Sequence, residues 1–207
     1  MLRRVLVFVL FAGLIAPLAA QTPPGLKMRV DRSTNAEDPD DRPDIKVVTA
    51  GKGFRVTGGP AGVFWMPGNT AMGNYTVKAT FTLLQPSNHT NYYGLVFGGS
   101  DLEGTGQTYN YFIVAQNGMY QVKQRIGEKS PALQRPMASP AIKTPEAGGR
   151  SVNTLEVRVM GDTVSYVVNG TVVHTMPKSG VQTDGLVGVR VNHVLDVQIE
   201  GFELQKG

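Results

Sequence analysis

The sequence predicts an all-β protein built from two antiparallel sheets packed face to face. Three observations carry that prediction. Several runs alternate strictly between apolar and polar residues, Asn-Gly and Gly-Asp pairs punctuate them as tight turns, and no stretch carries the long apolar stripe of a buried helix. The chain has 207 residues, 41% of them hydrophobic and 17% charged. Without the leader described next, 187 of the 207 remain. That suits one domain able to bury roughly 70% of its unfolded surface.

The first twenty residues read as a signal peptide. Met1-Leu2-Arg3-Arg4 is a basic start, Val5–Ile15 is an eleven-residue apolar run, and Ala16-Pro17-Leu18-Ala19-Ala20 offers small residues for cleavage before Gln21. The uncharged stretch Val5–Ala20 spans sixteen residues, short of the roughly 20 that cross hydrocarbon. No membrane insertion is therefore expected after cleavage. The chain has no cysteine, which excludes a disulfide framework, a thiolate metal site and a cysteine nucleophile together. An exported chain without cysteine points to a bacterial secreted or periplasmic protein. Its formal charge of +4 includes Arg3 and Arg4 of the leader. The small remaining excess of base makes no case for a nucleic-acid partner.

Residues 21–44 read as a flexible arm. The segment holds Pro23, Pro24, Pro39 and Pro43, five acids within the eight positions 37–44 (Glu37, Asp38, Asp40, Asp41 and Asp44), and no apolar periodicity that would offset the entropy of ordering it. Asp38-Pro39-Asp40-Asp41 lacks the alternating oxygen ligands and central glycine of a calcium loop. Calcium thus has no support, and no cofactor is expected.

Residues 45–207 form the predicted sandwich. Tyr75, Val77, Ala79, Phe81 and Leu83 alternate with polar residues, as do Leu155, Val157 and Val159, and Leu195, Val197 and Ile199. After Gly201 the apolar phase slips to Phe202 and Leu204, the mark of a bulge. Further strands are predicted over 53–56, 62–65, 92–97, 109–115, 119–125, 163–168, 171–175 and 186–191. Val168-Asn169-Gly170-Thr171 predicts a two-residue type I′ hairpin, and Gln116-Asn117-Gly118-Met119 predicts the same chemistry again. Residues 127–150 carry Pro131, Pro136, Pro140 and Pro145. That density excludes a central strand and suggests a surface crossing between the sheets, with Leu133, Met137 and Ile142 as pins.

Several of these runs occur together in one known group. Tyr93-Gly94-Leu95-Val96-Phe97, Tyr109-Asn110-Tyr111-Phe112-Ile113 and Asn117-Gly118-Met119-Tyr120 resemble the central motifs of secreted bacterial concanavalin A-like modules. Asn153–Val157, Val168-Asn169-Gly170, Gly185–Val189 and Val197–Phe202 continue the resemblance across roughly residues 52–205. The motifs look like those of laminin-G-like domains and the related 3-keto-disaccharide hydrolase-like domains. The resemblance implies a concanavalin A-like jelly roll. It leaves activity open, because that superfamily includes lectins, glycan-binding modules and glycoside hydrolases. Phe97 is followed by Gly98-Gly99 where the family often has Arg, and the loop Ser100–Gln107 is longer than usual.

The spacing of the ionisable residues matches no catalytic set. The Glu-x-Asp-x-x-Glu acid set of retaining glucanases is absent. Asp101 and Glu103 lie in a Gly-containing loop without a third acid at the required offset. His89, His174 and His193 form no metal-ligand pair, and Gly-x-Ser-x-Gly is missing. No catalytic or metal residue is assigned. The remaining signal is aromatic: five of the seven tyrosines fall between Tyr92 and Tyr120. If Phe112 and Val114 point to the core, Tyr109 and Tyr111 line the exposed face. Aromatic faces beside amides and guanidinium groups suit sugar rings. The candidate ligand-binding residues are Trp65, Tyr92, Tyr109, Asn110, Tyr111, Tyr120, Gln121 and Arg125.

The sequence thus suggests a secreted, non-catalytic module that binds a glycan or cell-surface polysaccharide. The alternatives are a glycosidase-type hydrolase acting on a (3-keto-)disaccharide, through Asp101, Glu103 or His89, and a structural envelope protein without a small ligand.

Overall fold

The structure, a computed structural model, describes residues 21–32, 38–41, 44–146 and 149–207. The signal-peptide segment lies outside the described residues, as do Glu37 and Pro43. Two seven-stranded antiparallel sheets make up the described fold. The first runs, in spatial order, β1 (Lys27–Asp31), β4 (Ala61–Ala71), β13 (Gly185–Val191), β6 (Tyr92–Ser100), β7 (Thr108–Ala115), β8 (Met119–Ile126) and β9 (Ala132–Ala138). The second runs β12 (Thr171–Pro177), β11 (Thr163–Val168), β10 (Ser151–Met160), β5 (Tyr75–Gln85), β14 (Asp196–Lys206), β3 (Gly53–Thr57) and β2 (Lys46–Ala50).

Period-two alternation builds the core as predicted. The apolar rows of β5 and β10 are fully buried against Leu95, Phe97, Phe112, Val114 and Val122 of the first sheet. The Phe112 ring lies 5.2 Å from Tyr166 and 6.3 Å from Tyr120, centroid to centroid. On β14 the expected bulge is present. Gly201 takes φ +58°, the pairing with β5 shifts between Glu200 and Glu203, and Phe202 and Leu204 return to the core side. Asn169 and Gly170 take φ +50° and +84°, the type I′ geometry that their sequence demands. The 116–119 turn differs. Asn117 stays out of the left-handed region, Gly118 alone adopts it at φ +81°, and the Gly118 N–H bonds the Ala115 carbonyl at 3.1 Å. This is the three-residue hairpin loop closed by a glycine bulge rather than a second type I′ turn.

The arm expected over 21–44 is in part a strand. β1 pairs with β4 from Lys27↔Trp65 to Asp31↔Ala61, and the Thr49 N–H and hydroxyl both donate to the Gln21 carbonyl at 2.8 and 2.9 Å. Apolar periodicity could not reveal β1. Its outward side chains are Lys27, Arg29 and Asp31, and what holds it is ladder hydrogen bonding plus charge pairing. Asp40 meets His89 at 3.1 Å and Asp41 meets His193 at 3.9 Å, so these acids close a turn onto two imidazoles.

The proline-rich 127–150 segment contains β9, an edge strand on β8 that includes Pro136. An edge tolerates a residue that cannot donate to the ladder. Beyond β9 the segment crosses to the second sheet, pinned by Ile142 and by Asn153. The fully buried Asn153 amide accepts from the Lys143 N–H and the Asn169 amide, each at 2.9 Å. It donates to the Lys143 carbonyl at 2.9 Å and the Tyr93 hydroxyl at 3.1 Å. Replacing Asn153 by Leu strands those partners in a dry site. Urea denaturation of Asn153→Leu is expected to show a loss of about 2–4 kcal/mol.

Candidate functional site

The face of the first sheet turned away from the core carries the unusual chemistry. Cross-strand register sets two rows on it. One runs Trp65, Gly188, Val96, Tyr111, Lys123, and the next runs Arg29, Val63, Arg190, Gly94, Ile113, Gln121. Tyr109 lies beyond Tyr111 on the same face, opposite Arg125. The sheet curls strongly here. Asp31 on β1 and Tyr109 on β7 stand four strand steps apart, roughly 19 Å in a flat sheet at about 4.8 Å per step. Their side chains nevertheless touch, at 3.3 Å. Gly94 and Gly188 let adjacent strand backbones lie close, since a Cβ there would come within 2.1 Å of the Phe112 carbonyl and 2.3 Å of the Phe64 carbonyl, respectively. The face is therefore concave.

A buried polar network organises it. Arg190 Nη1 donates to Asp31 Oδ2 at 2.6 Å and to the Tyr109 hydroxyl at 2.8 Å, and Nε donates to Asn192 at 2.9 Å. The guanidinium carbon sits 5.1 Å from the centroid of the Tyr111 ring, a cation–π contact. Arg29 Nε donates to Asp31 Oδ1 at 3.3 Å. Burial alone would raise the Asp31 pKa, but the charges of Arg190, Arg125 and Arg29 and the Arg190 hydrogen bond outweigh it and hold the carboxyl below its ordinary value. Burial pushes the Tyr109 hydroxyl up, which keeps it a donor to Asp31.

The sequence placed Tyr109 and Tyr111 on this face, and they are there, but they are not exposed. Tyr109 is 1% accessible, Tyr111 3% and Trp65 3%. They form a second apolar cluster with Val63, Val96, Ile113 and Leu102. Leu102 arrives from the β6–β7 loop, which folds over the concave face. Its Leu102 and Gly104 carbonyls accept Arg29 Nη1 at 3.3 and 2.7 Å, and Glu103 pairs with Lys27 at 3.6 Å. Half-buried groups on this side of the sheet include Tyr92, Gln121, Lys123 and Arg125. Arg125 spends Nε on the Gly127 carbonyl at 2.6 Å.

Two candidates fall on the other side. Adjacent strand residues face opposite ways, so Asn110 cannot share a face with Tyr109 and Tyr111, nor Tyr120 with Gln121. Asn110 is buried on the core side, donating to the Gln182 carbonyl, and Tyr120 donates inward to the Val173 carbonyl at 2.8 Å. Sequence reasoning missed Asp31, Arg29 and Arg190. Only Arg190 left a signal, as a lone charge inside the apolar run Leu186–Val191.

The residues weighed for hydrolysis do not converge. Asp101 caps its own loop through the Gly106 N–H at 3.1 Å, Glu103 pairs with Lys27, and His89 meets Asp40. Among the described residues no group of three His, Cys, Asp or Glu side chains is placed to hold a metal ion.

No family model matches the chain, and no curated protein matches it. Solved structures do. The carbohydrate-binding module CBM66 from Bacillus subtilis superposes with a TM-score of 0.62 at 11% identity, covering 78% of this chain and 92% of that one. A Bacillus subtilis protein of unknown function with a galectin-like fold gives 0.61 at 13%, covering 87% and 88%. A Bacteroides ovatus mixed-linkage glucan GH16 structure gives 0.59 at 8%, covering 90% and 97%. The fold is a concanavalin A-like jelly roll. At these identities the likeness speaks to architecture.

The network makes stability depend on pH with a defined sign. A carboxyl whose folded pKa is depressed contributes stability above its unfolded pKa and loses it as pH falls through the folded value. The stability advantage of the parent over Asp31→Asn should therefore be full near neutrality. It should shrink from the ordinary carboxylate range, near 3.8, downward, as read by denaturation at stepped pH. Arg190→Met leaves Asp31 buried with a weaker partner set and should cost about 3 kcal/mol or more at pH 7.

Proposed function

We propose that this protein is a carbohydrate-binding module that presents the concave face of its first sheet to a glycan. The observation that carries the reading is the gathering of donors and one aromatic ring (Gln121, Lys123, Arg125 and Tyr92) around a rigid floor made by Trp65, Tyr111, Tyr109 and Arg190. Glycan hydroxyls accept from ammonium, guanidinium and amide groups, and sugar C–H faces stack on aromatic rings. The buried rings hold the floor, and the half-buried residues do the contacting. The named carbohydrate-binding module among the structural neighbours supports this reading at the level of architecture.

The acid distribution supports a reading of binding without turnover. Asp31, the carboxylate of the network, is held ionised between Arg190 and Arg29, which suits neither proton donation nor a paired-acid hydrolysis. The basic start, apolar run and small-residue end of Met1–Ala20 support export to the periplasm or the medium of a bacterium.

Affinity electrophoresis against soluble polysaccharides, mixed-linkage glucan included, tests the reading. Retardation by at least one polymer is expected. Gln121→Ala/Lys123→Ala and Tyr92→Ala should each weaken it about tenfold with unchanged circular dichroism, whereas Tyr111→Phe should stay within about twofold. A polymer bound equally by all four proteins would remove the concave face from consideration.

A further inference from the structure

A second hollow lies where the two sheets gape at the β1–β4 edge, with a volume of about 360 Å³. Phe54 and Phe202 line it from the second sheet, Phe64, Val187 and Val189 from the first, and Leu26 from the segment ahead of β1. The β14 bulge at Gly201 turns Phe202 toward this space, and Phe54 and Phe64 stand 6.0 Å apart, centroid to centroid. The hollow is of the size that small ligands occupy, and its walls offer carbon almost throughout. At its mouth, in the β2–β3 turn, stands the exposed Lys52. The Lys52 ammonium has no ion-pair or hydrogen-bond partner among the described residues. The carboxylate that reaches this turn, Glu200, accepts the Lys52 backbone N–H at 3.1 Å. An apolar hollow with a free cation at its opening complements a molecule with an apolar tail and an anionic head.

We propose that this cleft binds a medium-length alkyl carboxylate, its chain among Phe54, Phe64 and Phe202 and its head group on the Lys52 ammonium. The proposal is independent of glycan binding, which uses the opposite face of the first sheet. Trp65, the single tryptophan of the chain, borders the cleft but packs its side chain in the cluster on the opposite face, so calorimetry is the deciding readout and fluorescence the supporting one.

The test titrates the full chain with hexanoate, octanoate and decanoate below their micellar concentrations, and with decanol as the uncharged control. Tryptophan fluorescence and calorimetry are read in parallel. Saturable binding is expected, tightening about fourfold per added methylene until the cleft is full. Lys52→Met should weaken decanoate about threefold to fivefold and leave decanol unchanged. Its melting temperature checks that the fold is intact. Absence of saturable binding by calorimetry overturns the proposal. So does decanoate affinity that is indifferent to chain length or unmoved in Lys52→Met.

Discussion

A guanidinium withdrawn from water must be paired, and Arg190 imposes that requirement on one whole side of this protein. It stands on β13, near the middle of its sheet, with 9% of its side chain accessible. The desolvation cost of such a charge is several kcal/mol unless hydrogen bonds and an opposite charge offset it. Asp31 supplies the charge, Tyr109 and Asn192 supply acceptors, and the Tyr111 ring supplies a π face. Because Asp31 belongs to β1, pairing Arg190 also docks that strand onto β4 and draws the sheet into its curl.

The rest of the concave face follows from that pairing. Arg29, one residue removed from Asp31 on the same face of β1, reaches the β6–β7 loop and brings Leu102 down onto the tyrosines. A sheet face that would otherwise meet water becomes a second apolar cluster with a polar margin. The sandwich thus has one closed, charge-stitched face and one edge where aromatic rings from both sheets leave a hollow. These two surfaces are the ones proposed for different ligands: a glycan at the first, an amphiphile at the second.

How much of this was legible in the sequence depended on how local the cause was. The β5 alternation, the Gly201 phase slip and the Asn169-Gly170 turn were readable because each depends on residues a few positions apart. The parity of Tyr109, Phe112 and Val114 was readable for the same reason. The exposure of Tyr109 and Tyr111 was not. It is decided by Leu102, by Arg190 some eighty residues away, and by Asp31 in a segment without apolar pattern. Tyr120 and Asn110 lie among the candidates along the chain, but alternation sends them to the opposite side of the sheet from Gln121 and Tyr109.

The amino-acid sequence determined most of the strands, most of their turns and the inward face of the alternating ones, since a period of two and a positive-φ glycine act over a few bonds. The tertiary structure alone decided that β1 joins the sheet, that the sheet is concave, and that an aspartate and an arginine 159 positions apart form its central pair. Contacts of that kind are made by strand order and curvature. Neither is written in any short run of residues, because both arise only when distant strands share hydrogen bonds and a common core.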